Sequence, residues 1–208
     1  MLSETRDVYT LDFEGHGDFK SESDFSISLF RGNVISFIKN KNLTKVDIFG
    51  YSMGGYVALD FALHHPSRVK KIITLGTKFS WNPDFARMEI QKLDPKKIQE
   101  KVPAFANQLE NLHGEENWRM VVSKTADLMQ DLGNNPPLQE SEFTKIKART
   151  LICLGELDRM STEEESIKTS QSLQNGNFKS VKNFIHPIEA VPMGELAEII
   201  ETFLNQKD

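Results

Sequence analysis

The stretch that most constrains this 208-residue chain runs from Val46 to Leu59. An apolar run, Val46–Phe49, enters the sequence Gly50-Tyr51-Ser52-Met53-Gly54, and a segment with helical spacing leaves it. This order predicts a strand, a sharp turn and a helix, with the Ser52 hydroxyl held clear of the backbone. Gly50 and Gly54 have no Cβ, and we expect that a Cβ at either position would collide where strand and helix pack closely. The helix N-terminus would offer free N–H groups to an oxyanion.

The segments around this turn predict an α/β fold, with a mostly parallel sheet covered by helices on both faces. Apolar runs at 8–13, 46–49, 69–75, 150–154 and 178–184 are predicted strands. Helical patterns lie between them, at 24–39 and from Tyr56 to about His64. A helix from Ser161, opened by a capping box, and a last helix over 193–204 complete the pattern.

Residues 78–147 interrupt this alternation because they contain helical patches and no convincing strand. The patches cover 85–93, 98–112 and 116–132. We therefore predict an α/β core of residues 1–77 and 148–208, with a helical lid at 78–147 inserted between its halves. Met and aromatic residues of the lid could line an apolar pocket or pack its helices, and packing is the favoured interpretation for most of them.

Composition excludes several classes of function. The formal net charge of −5 argues against a nucleic-acid-binding surface, and no apolar stretch approaches the roughly 20 residues that span a bilayer. Cys153 is the single cysteine, so no internal disulfide is expected, and its apolar neighbours predict a buried thiol. No signal peptide opens the chain, so we expect a cytoplasmic protein. No cofactor or metal is predicted, and a homodimer is left open.

A serine hydroxyl needs a base to take its proton and a third group to orient that base. Among the five histidines, His186 follows a predicted strand, on a loop closed by Pro187. It therefore belongs at the carboxyl edge of the sheet, where Ser52 must also lie. Asp158 follows the strand 150–154 at the same edge and is the predicted orienting acid, with Glu156 as the reserve. A structural role is favoured for His16, which lies in a turn; His64 and His65 end the predicted helix after Ser52, where histidine complements the dipole, and His113 lies in the predicted lid.

These segments together resemble the α/β-hydrolase fold, of the serine esterase, lipase and thioesterase type. The matching motifs are Leu11–Gly17, Gly50–Gly55, Gly155–Met160 and Ile185–Glu189. The resemblance implies that Ser52 is the nucleophile, Asp158 the acid and His186 the base, and that the Met53 amide donates to the oxyanion. It implies a small-molecule ester or thioester substrate. The alternative is an inactive relative that binds a small ligand or a protein partner.

The resemblance departs from the family at the amino end. Members usually have strands ahead of the one predicted at Val8–Phe13, and the last of these ends in a His-Gly loop that supplies a second oxyanion donor. This chain begins too late to contain that loop, and neither His16-Gly17 nor His113-Gly114 is a credible replacement. Three explanations stay open: this is a shortened form of a longer protein, the strands at 8–13 and 46–49 pair directly, or another chain fills the gap.

Overall fold

A computed structural model describes residues 1–207 and builds them from a small parallel sheet and many helices. The four strands found in that range are β1 (Val46–Tyr51), β2 (Val69–Leu75), β3 (Arg149–Gly155) and β4 (Gly176–Val181). The α-helices are α1 (Ile27–Asn40), α2 (Met53–His64), α3 (Pro83–Ile90), α4 (Pro95–Lys101), α5 (Pro103–His113), α6 (Asn117–Asn134), α7 (Glu140–Phe143), α8 (Glu163–Ser172) and α9 (Met193–Asn205). Short 3₁₀ helices cover Leu2–Glu4, Pro66–Arg68 and Ile188–Ala190.

The sheet places the strands side by side in chain order, β1-β2-β3-β4, and every pair is parallel. Tyr51 at the end of β1 is in register with Leu75 of β2, and Leu75 with Cys153 of β3. At the other side of the sheet, Gly155 is in register with Val181 of β4. Because the strands are parallel and in step, the residues that follow them emerge at one edge of the sheet.

Helices pack on both faces of the sheet, as the sequence predicts. Alternate strand residues point to opposite faces. Ile73 and Leu75 of β2 join Leu151 and Cys153 of β3 in a buried cluster with apolar residues of α9. Thr74, between these two residues of β2, points to the opposite face and toward α2. A Cβ on Gly55 of that helix would lie 3.0 Å from the Thr74 Cβ. The central strands β2 and β3 are therefore buried almost throughout.

The described chain forms two compact units. The first contains the sheet and comprises Met1–Tyr9, Ile38–Ser80 and the chain from Leu138 onward. The second comprises Thr10–Phe37 and Trp81–Pro137 and contains α3 to α6. It therefore joins residues 10–37, which the sequence assigned to the core, with helices of the predicted lid. The assignment of residues 78–147 as a lid stays a prediction.

The interior of the second unit is built from its helices. Ile98, Ala106, Trp118 and Val122 form a buried cluster contributed by α4, α5 and α6. Helices α3 and α6 approach closely at Gly133, where a Cβ would lie 2.5 Å from the Cβ of Ala86. Trp118 is fully enclosed, in agreement with the packing interpretation of the aromatic residues, whereas Met88 and Phe105 are exposed.

The predicted strand at Val8–Phe13 is wrong, because these residues adopt no regular secondary structure. Direct pairing of this segment with Val46–Phe49 is wrong as well, since within residues 1–207 the only ladder partner of β1 is β2. A β-strand needs backbone hydrogen bonds to a neighbouring strand, and an alternating sequence pattern does not show that such a neighbour is present.

Other differences concern where elements begin and end. The helix predicted over 98–112 is two helices, α4 and α5, because Pro103 has no N–H to donate and opens a new helix. The strand predicted over 178–184 is β4, which ends at Val181 before Asn183 turns into a left-handed conformation with φ of 59°. Helix α8 is capped by Thr162 instead of Ser161.

None of the helices built from residues 1–207 is long and apolar enough to cross a membrane.

Candidate active site

Ser52 occupies a strained turn between β1 and α2. Its φ and ψ are 50° and −119°, a left-handed φ that a non-glycine residue rarely adopts. Its backbone is held from both sides: the Ser52 N–H donates to the Leu75 carbonyl at 2.9 Å, and the Thr77 hydroxyl donates to the Ser52 carbonyl, also at 2.9 Å. Such strain persists only where the surroundings fix it, and it lifts the serine side chain out of the turn.

Two glycines, Gly50 and Gly55, allow the close packing at this turn, whereas the sequence predicted Gly50 and Gly54. A Cβ on Gly50 would lie 2.5 Å from the Gly54 carbonyl oxygen, which confirms the close approach expected there. A Cβ on Gly54 would meet nothing within 4 Å, so the prediction for Gly54 is wrong. The close approach is at Gly55 instead, where a Cβ would collide with the Thr77 hydroxyl oxygen. The collision depends on β2 and its following loop, which the local motif does not contain.

The three predicted side chains lie in a hydrogen-bonded row at the carboxyl edge of the sheet. Ser52 Oγ is 3.3 Å from His186 Nε2, and His186 Nδ1 is 2.8 Å from Asp158 Oδ2. The Asp158 side chain is 2% exposed and the His186 side chain 17% exposed, so the acid is enclosed and the imidazole is accessible. An ionised carboxylate can only accept, so Nδ1 carries the proton and Nε2 is free to accept one from Ser52.

The loop between β3 and α8 orients Asp158. The second carboxyl oxygen, Oδ1, accepts hydrogen bonds from the backbone N–H groups of Met160 at 2.7 Å and Ser161 at 3.2 Å. Burial by itself would raise the pKa of the Asp158 carboxyl, but the bonds from His186 and these two N–H groups outweigh it and lower the pKa below its usual value. Asp158 therefore remains ionised beside the imidazole. Glu156, the reserve acid, is exposed and is not the partner of His186.

Gly76 packs against the acid and the imidazole and was not predicted. It follows β2 with a left-handed φ of 61°, and a Cβ there would lie 2.9 Å from Asp158 Oδ2 and 3.3 Å from His186 Nδ1. A side chain at this position would be strained and would intrude on the bond between the two.

Met53 is the first residue of α2, immediately after Ser52. The first N–H groups of a helix have no acceptor within the helix, so the Met53 amide is free to donate outward. The positive end of the helix dipole lies at the same point. This placement fits the predicted oxyanion donor.

A family model described as the alpha/beta hydrolase fold matches residues 2–149 of the chain. The chain belongs to the α/β-hydrolase fold family.

Individual relatives share only a modest fraction of the sequence of this hydrolase-fold chain. It is 23% identical over 227 residues to a 2-hydroxymuconate semialdehyde hydrolase of Pseudomonas putida, covering 99% of this chain and 79% of that protein. It is 33% identical over 82 residues to an abhydrolase domain-containing protein of Schizosaccharomyces pombe, a match that covers 39% of this chain but only 30% of that protein. In structure it resembles a serine hydrolase of Cycloclasticus zankles with a TM-score of 0.74 and 16% identity, over 93% of this chain and 77% of the other. At this identity the structural likeness shows the fold.

The remaining histidines of this hydrolase-fold chain have other partners. His64 ends α2, and its Nδ1 lies 2.9 Å from the Asp60 carbonyl. His16 and His113 belong to the second unit, where their rings meet edge to face with centroids 5.7 Å apart and His113 Nδ1 accepts the Gly17 N–H at 3.0 Å. The structural role predicted for His16 agrees with these contacts.

The sequence did not predict the contacts that three residues make at the site: Tyr51, Gly76 and Thr77. The signal that could have found the last two is their position directly after a buried strand, at the edge already assigned to Ser52. Tyr51 lies inside the serine motif, but its hydroxyl reaches the His186 carbonyl across a sequence distance that no local pattern spans.

Residues 1–207 contain no group of three or more His, Cys, Asp or Glu side chains arranged to hold a metal ion. Cys153 lies buried in β3, and burial raises the pKa of its thiol to about 12, so it remains protonated. The thiol is therefore a packing group of the sheet.

Proposed function

We propose that this protein is a serine hydrolase that cleaves carboxylic esters or thioesters of small acids through an acyl-enzyme. The observation that carries the proposal is the row of hydrogen bonds from Ser52 Oγ through the His186 imidazole to the Asp158 carboxylate. Membership of the α/β-hydrolase fold family and the P. putida hydrolase among its relatives support a hydrolase.

In the first half of the proposed reaction, Ser52 Oγ attacks the substrate carbonyl carbon while His186 Nε2 accepts the hydroxyl proton. The carbonyl oxygen becomes an oxyanion, which the Met53 N–H stabilises together with the α2 dipole. When the tetrahedral intermediate collapses, the bond to the leaving alcohol or thiol breaks and His186 returns the proton to it. The acyl group stays on Ser52 as an ester.

In the second half, His186 Nε2 takes a proton from water, and the resulting nucleophile attacks the acyl carbon. The second tetrahedral intermediate releases the acid and returns the proton to Ser52 Oγ. Asp158 keeps Nδ1 protonated throughout and stabilises the imidazolium when Nε2 is protonated. Each of these proton transfers passes through His186 Nε2.

Reaction with a fluorophosphonate probe tests the proposal. We expect one equivalent of probe to bind covalently to the wild-type protein, Ser52→Ala to abolish labelling, and the matched control Ser67→Ala, an exposed serine, to label normally. Burst kinetics with p-nitrophenyl acetate should release one equivalent of nitrophenol per protein before the steady state. A panel of esters graded by acyl length, with matched thioesters, then defines the substrate.

A folded wild-type protein that neither labels nor shows a burst would contradict the enzyme proposal. It would favour the alternative of a ligand-binding or partner-binding relative. Circular dichroism of each variant separates this outcome from misfolding.

A further inference from the structure

Tyr51 connects the serine turn to the histidine loop. It is the last residue of β1 and directly precedes Ser52. Its hydroxyl donates a hydrogen bond to the His186 carbonyl at 2.6 Å, and its ring lies 5.4 Å from the imidazole, centroid to centroid, at an angle of 44°. The rest of the side chain packs against the buried cluster of β2, β3 and α9. One side chain thus contacts both the backbone and the ring of His186.

The loop that carries His186 is otherwise anchored on either side of the histidine. Before it, the Phe184 carbonyl accepts the Leu157 N–H at 3.1 Å, and Phe184 is fully buried. After it, the Ala190 N–H donates to the Pro187 carbonyl at 3.0 Å within the loop, and the Ile188 backbone forms a further hydrogen bond with the Tyr51 hydroxyl. Among the hydrogen bonds of residues 1–207, the one from the Tyr51 hydroxyl joins the His186 carbonyl to the end of β1.

We propose that Tyr51 is a positioning residue, whose hydroxyl fixes the His186 backbone so that Nε2 stays within reach of Ser52 Oγ. Because Tyr51 and Ser52 are neighbours in the chain, the hydroxyl closes a short path between the two reacting groups. Asp158 fixes the tautomer and the tilt of the ring, whereas Tyr51 fixes the position of its backbone. The proposal rests on the proposed function of Ser52 and His186.

The Tyr51 hydroxyl keeps its proton over the working pH range. Burial, followed by the nearby charge of Glu189, raises its pKa to about 12. The hydrogen bond to the His186 carbonyl therefore persists at neutral pH, and Tyr51 adds no ionisation of its own to the pH dependence there.

Tyr51→Phe tests the proposal, because it removes the hydroxyl oxygen and leaves the packed ring. We expect kcat for a p-nitrophenyl ester, and the rate of fluorophosphonate labelling, to fall by about 10- to 100-fold, since displacement by about 1 Å can cost 10²-fold. KM should change by less than about twofold, because the hydroxyl touches the protein and not the substrate.

Tyr56→Phe is the matched control. Tyr56 is buried whereas Tyr51 is half-buried, and the Tyr56 hydroxyl likewise bonds to backbone, accepting the Leu138 N–H at 3.0 Å. Losing that hydroxyl should lower the urea midpoint while kcat and the labelling rate stay within about twofold of wild type. A general effect of deleting a backbone-bonded tyrosine hydroxyl would instead lower the rates of both variants equally.

A measurement that needs no activity separates this proposal from the proposed function. In the ¹⁵N-resolved NMR spectrum of the imidazoles, the His186 Nδ1–H signal should persist in Tyr51→Phe but exchange faster with solvent than in wild type. If the wild-type protein never labels, the hydrolase proposal fails and this exchange rate still tests positioning. If Tyr51→Phe labels at the wild-type rate and its Nδ1–H exchanges normally, the positioning role is wrong.

Discussion

His186 and His113 each form a hydrogen bond through Nδ1, but the partner of one is an acceptor and the partner of the other is a donor. In the first unit, His186 Nδ1 donates to the Asp158 carboxylate at 2.8 Å, because an ionised carboxylate can only accept. In the second unit, His113 Nδ1 accepts the Gly17 N–H at 3.0 Å, a bond that only an unprotonated nitrogen can make. The group that faces Nδ1 therefore fixes which ring nitrogen carries the proton: Nδ1 in His186, which leaves Nε2 as an acceptor, and Nε2 in the neutral His113 ring.

The electrostatics of the second unit follow from this difference. Burial lowers the pKa of His113, and the neighbouring His16 lowers it further, while Asp12 opposes the shift. Burial likewise lowers the pKa of His16, against the effect of its bonds to the Glu14 and Phe13 backbone and of Asp12. Both rings are therefore favoured in the neutral form. The turn that they hold is also bound by Asn117, which donates to the Gly15 carbonyl at 3.0 Å.

The largest expected effect comes from removing each histidine in turn. His186→Ala should lower kcat/KM for an ester substrate by roughly 10⁴-fold or more, because it removes the described group that lies within reach of the Ser52 proton. His113→Ala should leave kcat/KM within a few-fold of wild type and lower the unfolding midpoint. Steady-state kinetics and urea unfolding of both variants measure the contrast. Comparable losses of kcat/KM in the two variants would contradict a catalytic role that belongs to His186 and not to His113.

A smaller effect is expected from crowding the Asp158–His186 bond. Gly76→Ala should lower kcat by about 10²-fold, because its Cβ would displace both partners, and its left-handed φ should cost about 1–3 kcal/mol of stability. Gly32→Ala in α1 is the matched control: its Cβ would meet nothing within 4 Å, and alanine favours a helix by about 0.5–1 kcal/mol. Retained activity in Gly76→Ala, measured alongside its thermal midpoint, would show that the bond tolerates displacement.

The smallest effect concerns the pH dependence of the second unit. Because folding lowers the pKa values of His16 and His113, the unfolded chain binds more protons once the pH falls below about 6.5. The stabilising contribution is thus complete above that pH and is lost as the pH falls through the lowered values. Amide exchange over residues 14–23, corrected for intrinsic rates, should show less protection at about pH 5 than at about pH 7.5.

Two variants sharpen this prediction. His113→Gln supplies an amide oxygen that can accept the Gly17 N–H without titrating, so the difference in protection between the two pH values should shrink. Asn117→Ala removes a bond that does not titrate, so it should reduce stability by about 0.5–1.5 kcal/mol at both pH values alike. An unchanged pH difference in His113→Gln would remove His113 from the explanation.

The sequence by itself determined the parallel α/β pattern and the three side chains that the structure brings into one row. It could do so because each property is local: buried strands have apolar runs, and residues that directly follow parallel strands emerge at a common edge. Ser52, Asp158 and His186 all lie just after strands, or on loops that strands lead into. The strand β2 and the helix α9 begin where the pattern predicts.

Only the tertiary structure decided which neighbours complete these elements. Val8–Phe13 alternates like a strand but adopts no regular secondary structure, and Gly55, not Gly54, approaches Thr77. Tyr51, Gly76 and Thr77 hold the site through contacts with residues distant in the chain. The physical reason is that backbone pairing and close packing are properties of two segments at once, whereas a sequence pattern describes one segment at a time.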